Sequence, residues 1–208
     1  MTRRGAVAAA TGAEALSTEL PVGRSTGWWG MVMLVVADAA LFACFLGSYF
    51  YLRFQFGAQW PPDGIEHPKL LKPLLMTALL LPSSLPMVWA EHGIRRGQRW
   101  RLRCGLAATL VLGASFLTLQ ATEYAEKLKH FTMTTDVYGS LFYAITGFHG
   151  LHVLVGLIMV SWLLVASAQA GSFGVHRHER VRNTAIYWHF VDAVWAAILF
   201  TIYLSPRL

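Results

Sequence analysis

The sequence has few charged residues and few cysteines for a chain of 208 residues. Only 13% of its residues are Asp, Glu, Lys or Arg, whereas 55% are apolar. A water-soluble domain usually has about 25% charged residues, because its surface faces water. The two cysteines, Cys44 and Cys104, occur in no CxxC, CxxCH or zinc-type pattern, so they indicate neither a metal site nor a haem attachment site. We interpret both as small residues of a helical core.

Motifs of soluble enzymes and of nucleic-acid-binding proteins are also missing. The sequence has no Gly-rich phosphate loop, no nucleophile elbow and no HExxH motif. The net charge of +6 comes from arginines in short loops, without the aromatic stacking pattern of a nucleic-acid groove. We therefore expect no nucleic-acid partner and no catalytic residue on this chain.

What the sequence does contain is long apolar runs. A hydrocarbon core about 30 Å thick requires about 20 helical residues. Five runs reach that length, and they cover residues 28–52, 70–90, 104–122, 137–168 and 185–204. The sequence therefore predicts an all-α membrane protein, a bundle of five transmembrane helices over residues 27–208 that follows a flexible cytoplasmic tail of residues 1–26. We expect Pro82 and Pro86 to kink the second span without breaking it, and Asp136 to cap the fourth.

The distribution of cationic residues predicts the orientation of the spans. Eleven arginines lie in the tail and in the loops after the second and fourth spans, whereas six lysines and arginines lie on the opposite side. Because cationic loops tend to remain cytoplasmic, we expect the amino terminus inside and the carboxyl terminus outside.

Four groups of polar residues interrupt the apolar spans, where a charge or an imidazole is costly unless protein or water surrounds it. Asp38, in the first span, is either a protonatable acid that handles protons or a carboxyl that only bonds a neighbouring helix. His149 and His152 share a helix face with Gly156, which favours close helix packing with imidazoles bonding across the contact. A competing hypothesis is a metal site that His189 and Asp192 complete.

The last span opens with an unusual aromatic segment. Tyr187 and Trp188 are typical of membrane-interface anchors, but an aspartate a turn deeper is not. Trp188, Asp192 and Trp195 should share one face of this helix. At the end of the third span, Glu123 and Tyr124 follow Gln120, and taken alone they are typical of solvated helix-end residues. The polar side chains that we single out as proton- or lipid-related are Asp38, His149, His152, His189 and Asp192.

Four segments carry a family resemblance. They are residues 119–124 (LQATEY), 138–140 (YGS), 146–153 (TGFHGLHV) and 187–195 (YWHFVDAVW). In this order and at this spacing they closely resemble cytochrome c oxidase subunit III, over about residues 28–204. The motif residues that match as they stand are Gln120, Glu123, Tyr124, His149, His152, Tyr187, Trp188, His189, Asp192 and Trp195.

The resemblance implies an accessory subunit that packs against subunits I and II of a haem-copper oxidase. Haem and copper would then belong to those partners, and further oxidase or supercomplex subunits could join them. This chain would bind phospholipid, support proton uptake and keep the complex stable during turnover. The implied location is the inner membrane of a prokaryote. Related subunits also accompany quinol oxidases and nitric oxide reductases, and a stand-alone transporter or metal-binding membrane protein remains an alternative of another class.

Three features depart from the family pattern. Asp38 stands where the family usually has a glutamate, which retracts the carboxyl by one methylene, and Arg182 stands where glutamate is common. The resemblance also implies a short form, because the common long form has seven spans and the five predicted here correspond to the third to seventh.

Overall fold

The computed structural model describes residues 25–57, 60, 70–168 and 178–207, and within these ranges the chain forms helices joined by turns. The predicted tail, apart from its last two residues, lies outside the described residues. In chain order the helices are α1 (Thr26–Phe56), α2 (Leu71–Leu80), α3 (Ser84–Arg95), α4 (Arg99–Lys127), α5 (Val137–Ala168) and α6 (Glu179–Ile198).

The five predicted spans are confirmed, because five helical segments are long and apolar enough to cross a bilayer. Helices α2 and α3 together form the second span, Leu71–Arg95, and α6 continues through a π-helical and a 3-10 turn to Arg207. Most of the helices run past the predicted ends. They do so because polar residues that leave the hydrocarbon can still complete helical turns in water.

Pro82 and Pro86 were expected to kink the second span. The structure has a 3-10 turn, Leu81–Ser83, at Pro82 between α2 and α3, whereas Pro86 lies within α3. A proline has no N–H to donate, so α-helical hydrogen bonding cannot run unbroken through this segment. Neighbouring hydroxyls bond the carbonyls there: Ser83 Oγ donates to the Leu80 carbonyl at 2.6 Å, and Thr109 Oγ1 donates to the Ser83 carbonyl at 3.3 Å. The span therefore stays helical on both sides of the turn.

The start of α5 shows the predicted cap. The backbone N–H of Gly139 donates to Asp136 Oδ1 at 2.6 Å, and the N–H of Ser140 donates to the Asp136 carbonyl at 3.1 Å. These bonds satisfy donors that the first turn of a helix leaves free.

Helices α3 and α4 form a tight antiparallel hairpin. The turn between them contains Gly97 with a φ of +70°, a conformation that favours glycine. Farther along the hairpin, a Cβ on Gly105 would lie only 2.5 Å from the Pro86 carbonyl oxygen. The lack of a side chain at Gly105 thus allows the two backbones to touch.

Helix α1 lies on the outside of the bundle, against α5 and α6. Phe42 and Tyr49 are its buried residues. In its most apolar stretch of 18 residues only 6% are buried, whereas in that of the last span 56% are buried. The interpretation of Cys44 and Cys104 as core residues is wrong, because both are exposed. Both cysteines lie on outward-facing helix surfaces that sequence periodicity alone did not identify.

Candidate functional site

The polar residues inside the spans meet at the contacts between helices. Asp38 of α1 faces His152 of α5, with Asp38 Oδ2 and His152 Nε2 3.5 Å apart. The Asp38 side chain is 23% exposed and the His152 side chain 14% exposed. The edge of Phe42 packs against the imidazole, with ring centroids 5.2 Å apart. The carboxyl thus lies at the edge of the bundle, with an imidazole behind it.

The hydrogen bonds of His152 define which proton the pair can share. His152 Nδ1 lies 2.7 Å from the Phe148 carbonyl oxygen, which can only accept, so Nδ1 carries a hydrogen. Nε2 then faces the carboxyl with either a lone pair or a second hydrogen. Two acceptors repel each other, so the contact is favourable when one proton lies on Nε2 or on the Asp38 carboxyl. The arrangement can hold one proton between α1 and α5.

A second polar contact joins α3 to α6 through Ser84. Ser84 Oγ lies 2.8 Å from His189 Nδ1 and also donates to Asp192 Oδ2. Asp192 is 6% exposed, and its other oxygen, Oδ1, has no hydrogen-bond partner among the described residues. Although serine, histidine and aspartate are all present, the aspartate bonds the serine and not the histidine. This is not the order of a nucleophilic triad, in which the acid orients the imidazole.

The structure does not assemble the competing metal site. Within the described ranges, no group of three or more His, Cys, Asp or Glu side chains is arranged to hold an ion. His149 does not join His189 and Asp192. Its ring stacks on Trp195, with centroids 5.3 Å apart, and meets the edge of Phe116 at 5.6 Å.

His149 also differs from the expectation that it bonds across a helix contact. It is 0% exposed, and neither ring nitrogen has a hydrogen-bond partner among the described residues. Its neighbours Phe116 and Trp195 are themselves in edge-to-face contact at 4.8 Å. His149 therefore packs like an aromatic core residue.

The aromatic segment of α6 packs in the core. The interpretation of Trp188 as an interface anchor is wrong, because it is 0% exposed. Its indole lies between Gly113 of α4 and Gly156 of α5, where a Cβ on either glycine would come within 2.8 Å of the ring. Its Nε1 donates to Ser83 Oγ at 2.9 Å, and Trp195 Nε1 donates to Thr77 Oγ1 at the same distance. As predicted, Trp188, Asp192 and Trp195 share a face, and all three bond the second span.

Near the opposite end of the bundle, Gln120 and Tyr124 of α4 bond α5. Gln120 Nε2 donates to the Thr146 carbonyl at 2.7 Å, and Tyr124 Oη lies 2.7 Å from Thr146 Oγ1. A Cβ on Gly150 would come within 2.9 Å of the Gln120 amide. The TGFHGLHV segment thus supplies both the backbone acceptor and the space for this contact.

Glu123 is not a solvated helix-end residue, because it is only 6% exposed. Its carboxylate lies 3.2 Å from Lys127 Nζ and 3.8 Å from Lys72 Nζ, and Lys72 also lies 2.5 Å from the Glu126 carboxylate. The Lys127 ammonium is 4.1 Å from the centroid of the Phe142 ring. This cluster connects α2, α4 and α5.

Comparison with known proteins identifies the family of the chain. The family model for cytochrome c oxidase subunit III matches residues 18–206. The chain belongs to the cytochrome c oxidase subunit III family. Among its relatives are proteins named cytochrome c oxidase subunit 3 from Anopheles gambiae, 40% identical over 183 residues, Oryctolagus cuniculus, 37% over 180, and Lumbricus terrestris, 38% over 183. Each of these matches covers 84% of this chain and 68% of the relative.

Membership of the subunit III family confirms the resemblance seen in the four segments, and the structure gives their residues physical roles. The hydroxyl partners of these residues were not predicted from the sequence, and they are Thr77, Ser83, Ser84 and Thr146. The available signal was the placement of these hydroxyls in otherwise apolar spans, with Ser83 next to Pro82 and Thr146 next to Gly147. Arg182, at the position where glutamate is common, lies 4.0 Å from Glu179 within α6.

Proposed function

We propose that the chain is the non-catalytic subunit III of a haem-copper cytochrome c oxidase, and that it stabilises the catalytic subunit. The observation that carries the proposal is the match of residues 18–206 to the subunit III family, together with five membrane-spanning helices. Subunits I and II are the proposed partners, with further oxidase or supercomplex subunits, and they hold the haem and copper.

The way the polar side chains are used supports an accessory role. Ser84 and Asp192 bond each other across α3 and α6, the His152 imidazole faces Asp38 of α1, and His149 is enclosed by aromatic rings. Side chains that join helices in this way fix the shape of the bundle. Electron transfer and oxygen reduction would then take place on the partner subunits.

We propose a second role for the Asp38 and His152 pair in proton uptake or lipid contact. A partly exposed carboxyl in the middle of a span is costly when only hydrocarbon surrounds it. A phospholipid or a partner subunit that covers this edge would remove that cost. The proton that the pair can hold makes it suited to support proton delivery to the catalytic subunit.

The proposed location is the inner membrane of a prokaryote, with the amino terminus in the cytoplasm. The eleven cationic residues on one side of the spans and the six on the other support this orientation. Reporter fusions at both termini test it, and a carboxyl terminus found in the cytoplasm would refute it.

Co-purification tests the subunit assignment. The tagged full chain, extracted from its native membrane in mild detergent, should bring with it proteins whose spectrum shows haem, and the preparation should oxidise reduced cytochrome c. A preparation that contains haem but oxidises only quinols, or that reduces nitric oxide, would assign the chain to a related complex. A chain that stays alone and retains a stoichiometric metal ion, lost on the double change His149→Ala and His189→Ala, would contradict the proposal.

The role of Asp38 is tested in the purified complex. Asp38→Asn should leave the haem content unchanged and alter the rate of inactivation during turnover or the rate of proton uptake, because the amide cannot share a proton with His152. Asp136→Asn is a matched control, since asparagine also caps a helix and residue 136 lies outside the hydrocarbon. Unchanged inactivation and proton uptake in Asp38→Asn would refute a role for this carboxyl.

A further inference from the structure

The turn between α3 and α4 and the helix ends beside it carry aromatic rings and arginines, and Arg96 is the residue that caps the end of α3. The Arg101 guanidinium carbon lies 5.5 Å from the centroid of the Trp100 ring and 6.0 Å from that of Trp89. The two indoles meet edge to face with centroids 5.2 Å apart, and they are 58% and 38% exposed. We call Arg96, Arg101, Trp89 and Trp100 the corner patch.

The positive charge of the corner patch is not balanced by acidic side chains. The side chain of Arg96 is exposed and forms no hydrogen bond or ion pair with any residue that the structure describes. Arg101 contacts the two rings, and its buried Nε has no hydrogen-bond partner in the described part of the chain. The nearby Glu91 is already bound by Arg95, at 2.6 Å. Two guanidinium groups are thus left able to bind an anion.

Other arginines near this turn are used differently. Arg103 donates to the Ser167 carbonyl at the end of α5, at 2.6 Å, and so connects helices. Arg103 thus has a structural hydrogen-bond partner, whereas the side chains of Arg96 and Arg101 have none among the described residues. The first turn of α4, which begins at Arg99 and has no side-chain cap, adds the positive end of a helix dipole to the same corner.

The position of the corner patch indicates which anion it fits. Exposed tryptophans at the end of a span lie at the level of the lipid headgroups, with their rings against the acyl chains and glycerol. An anionic phospholipid offers a phosphate to the two arginines and apolar surface to the two indoles. Free inorganic phosphate would leave the exposed indoles without a partner.

We propose that the corner patch binds the headgroup of an anionic phospholipid in the leaflet that faces the α3–α4 turn. Arg96 and Arg101 bind the phosphate, and Trp89 and Trp100 contact the adjoining glycerol and acyl carbons. The site lies on the outer surface of the bundle, apart from Asp38 and His152. It requires only that the chain spans a membrane, so it does not depend on which oxidase the chain joins.

Lipid binding to the full chain, in the complex it forms in its native membrane, tests the proposal. Native mass spectrometry after exchange into detergent with dioleoyl phosphatidylglycerol or dioleoyl phosphatidylcholine counts the lipids retained. The wild type should retain at least one more phosphatidylglycerol than phosphatidylcholine. An arginine near an anionic headgroup contributes about fivefold in affinity, so Arg96→Gln with Arg101→Gln should weaken phosphatidylglycerol binding about 25-fold.

Three further measurements keep the test specific. Arg96→Gln alone should weaken phosphatidylglycerol binding about fivefold without affecting folding, because the exposed Arg96 side chain makes no hydrogen bond or ion pair with the described residues. Lys129→Gln, at an exposed cation beyond the opposite end of α4, is the matched control and should leave retention unchanged. Trp100→Leu should weaken lipid binding. Inorganic phosphate should not compete with the lipid, either in the wild type or in this variant. Equal retention of the two lipids, an unaffected Arg96→Gln variant, or complete displacement by inorganic phosphate would overturn the proposal.

Discussion

Replacing Gly156 with alanine tests whether the indole of Trp188 determines the separation of α5 and α6. The new Cβ would lie 2.8 Å from the indole carbons Cε3 and Cζ3, whereas ordinary contacts begin at 3.4 Å, so the helices must separate by about 0.6 Å or the ring must move. The ring has little freedom, because Trp188 is fully buried, bonded to Ser83 and in contact with α4 at Gly113. Overpacking a closed core in this way costs about 1–3 kcal/mol.

Gly47→Ala is the matched control for this substitution. Gly47 also lies within a membrane-spanning helix, but an added Cβ there has nothing within 4 Å. Both substitutions gain the higher helix propensity of alanine, so the difference between them isolates the steric cost. Unfolding of the full chain in mixed micelles, titrated with SDS, should show Gly156→Ala less stable than Gly47→Ala by about 1–3 kcal/mol.

The double variant Gly156→Ala with Trp188→Phe identifies the source of the cost. The smaller ring leaves room for the new methyl group, so the penalty of Gly156→Ala should shrink in that background. If Gly156→Ala proves as stable as Gly47→Ala, or if its penalty is unchanged beside phenylalanine, the indole does not determine the helix separation.

Three other substitutions have defined outcomes. Thr77→Val should destabilise the chain by about 1–3 kcal/mol in an SDS titration, because it leaves the Trp195 N–H buried and unpaired. The double variant Thr77→Val with Trp195→Phe should cost less than the two single substitutions added together. Lys127→Met should lower the thermal midpoint of the purified complex, since the buried Glu123 carboxylate loses its nearer cation, and added salt should not reproduce the effect. Asp136→Ala should cost about 1 kcal/mol in the same melting assay through loss of the α5 cap, whereas asparagine at this position should cost less.

The number and place of the spans could be predicted because lipid leaves a backbone few choices. A run of about 20 apolar residues must satisfy its own hydrogen bonds, and only a helix does so within one segment. The cap at Asp136 and the helix irregularity at Pro82 followed from equally local rules. The common face of Trp188 and Trp195 followed from helical periodicity alone.

Which way each face points could not be predicted in the same manner. In a soluble protein the polar face of a helix marks the surface, but in lipid both faces are apolar, so hydropathy does not separate core from exterior. For this reason the interpretation of Cys44 as buried and of Trp188 and Glu123 as peripheral was wrong. The partners of Trp188 and Glu123, such as Ser83 and Lys72, come from other helices, and one sequence does not show which helices meet.

The outer position of α1 has a consequence for how the chain assembles during translation. Its neighbours are α5 and α6, and Arg53 at its end donates to Ser205 Oγ and to the Ser205 carbonyl, 152 residues later. The ribosome therefore releases the earliest of the five spans long before the surface it packs on has been synthesised. Until the last span is inserted, α1 must stay in the bilayer without its native neighbours, so its attachment follows the synthesis of the rest of the bundle.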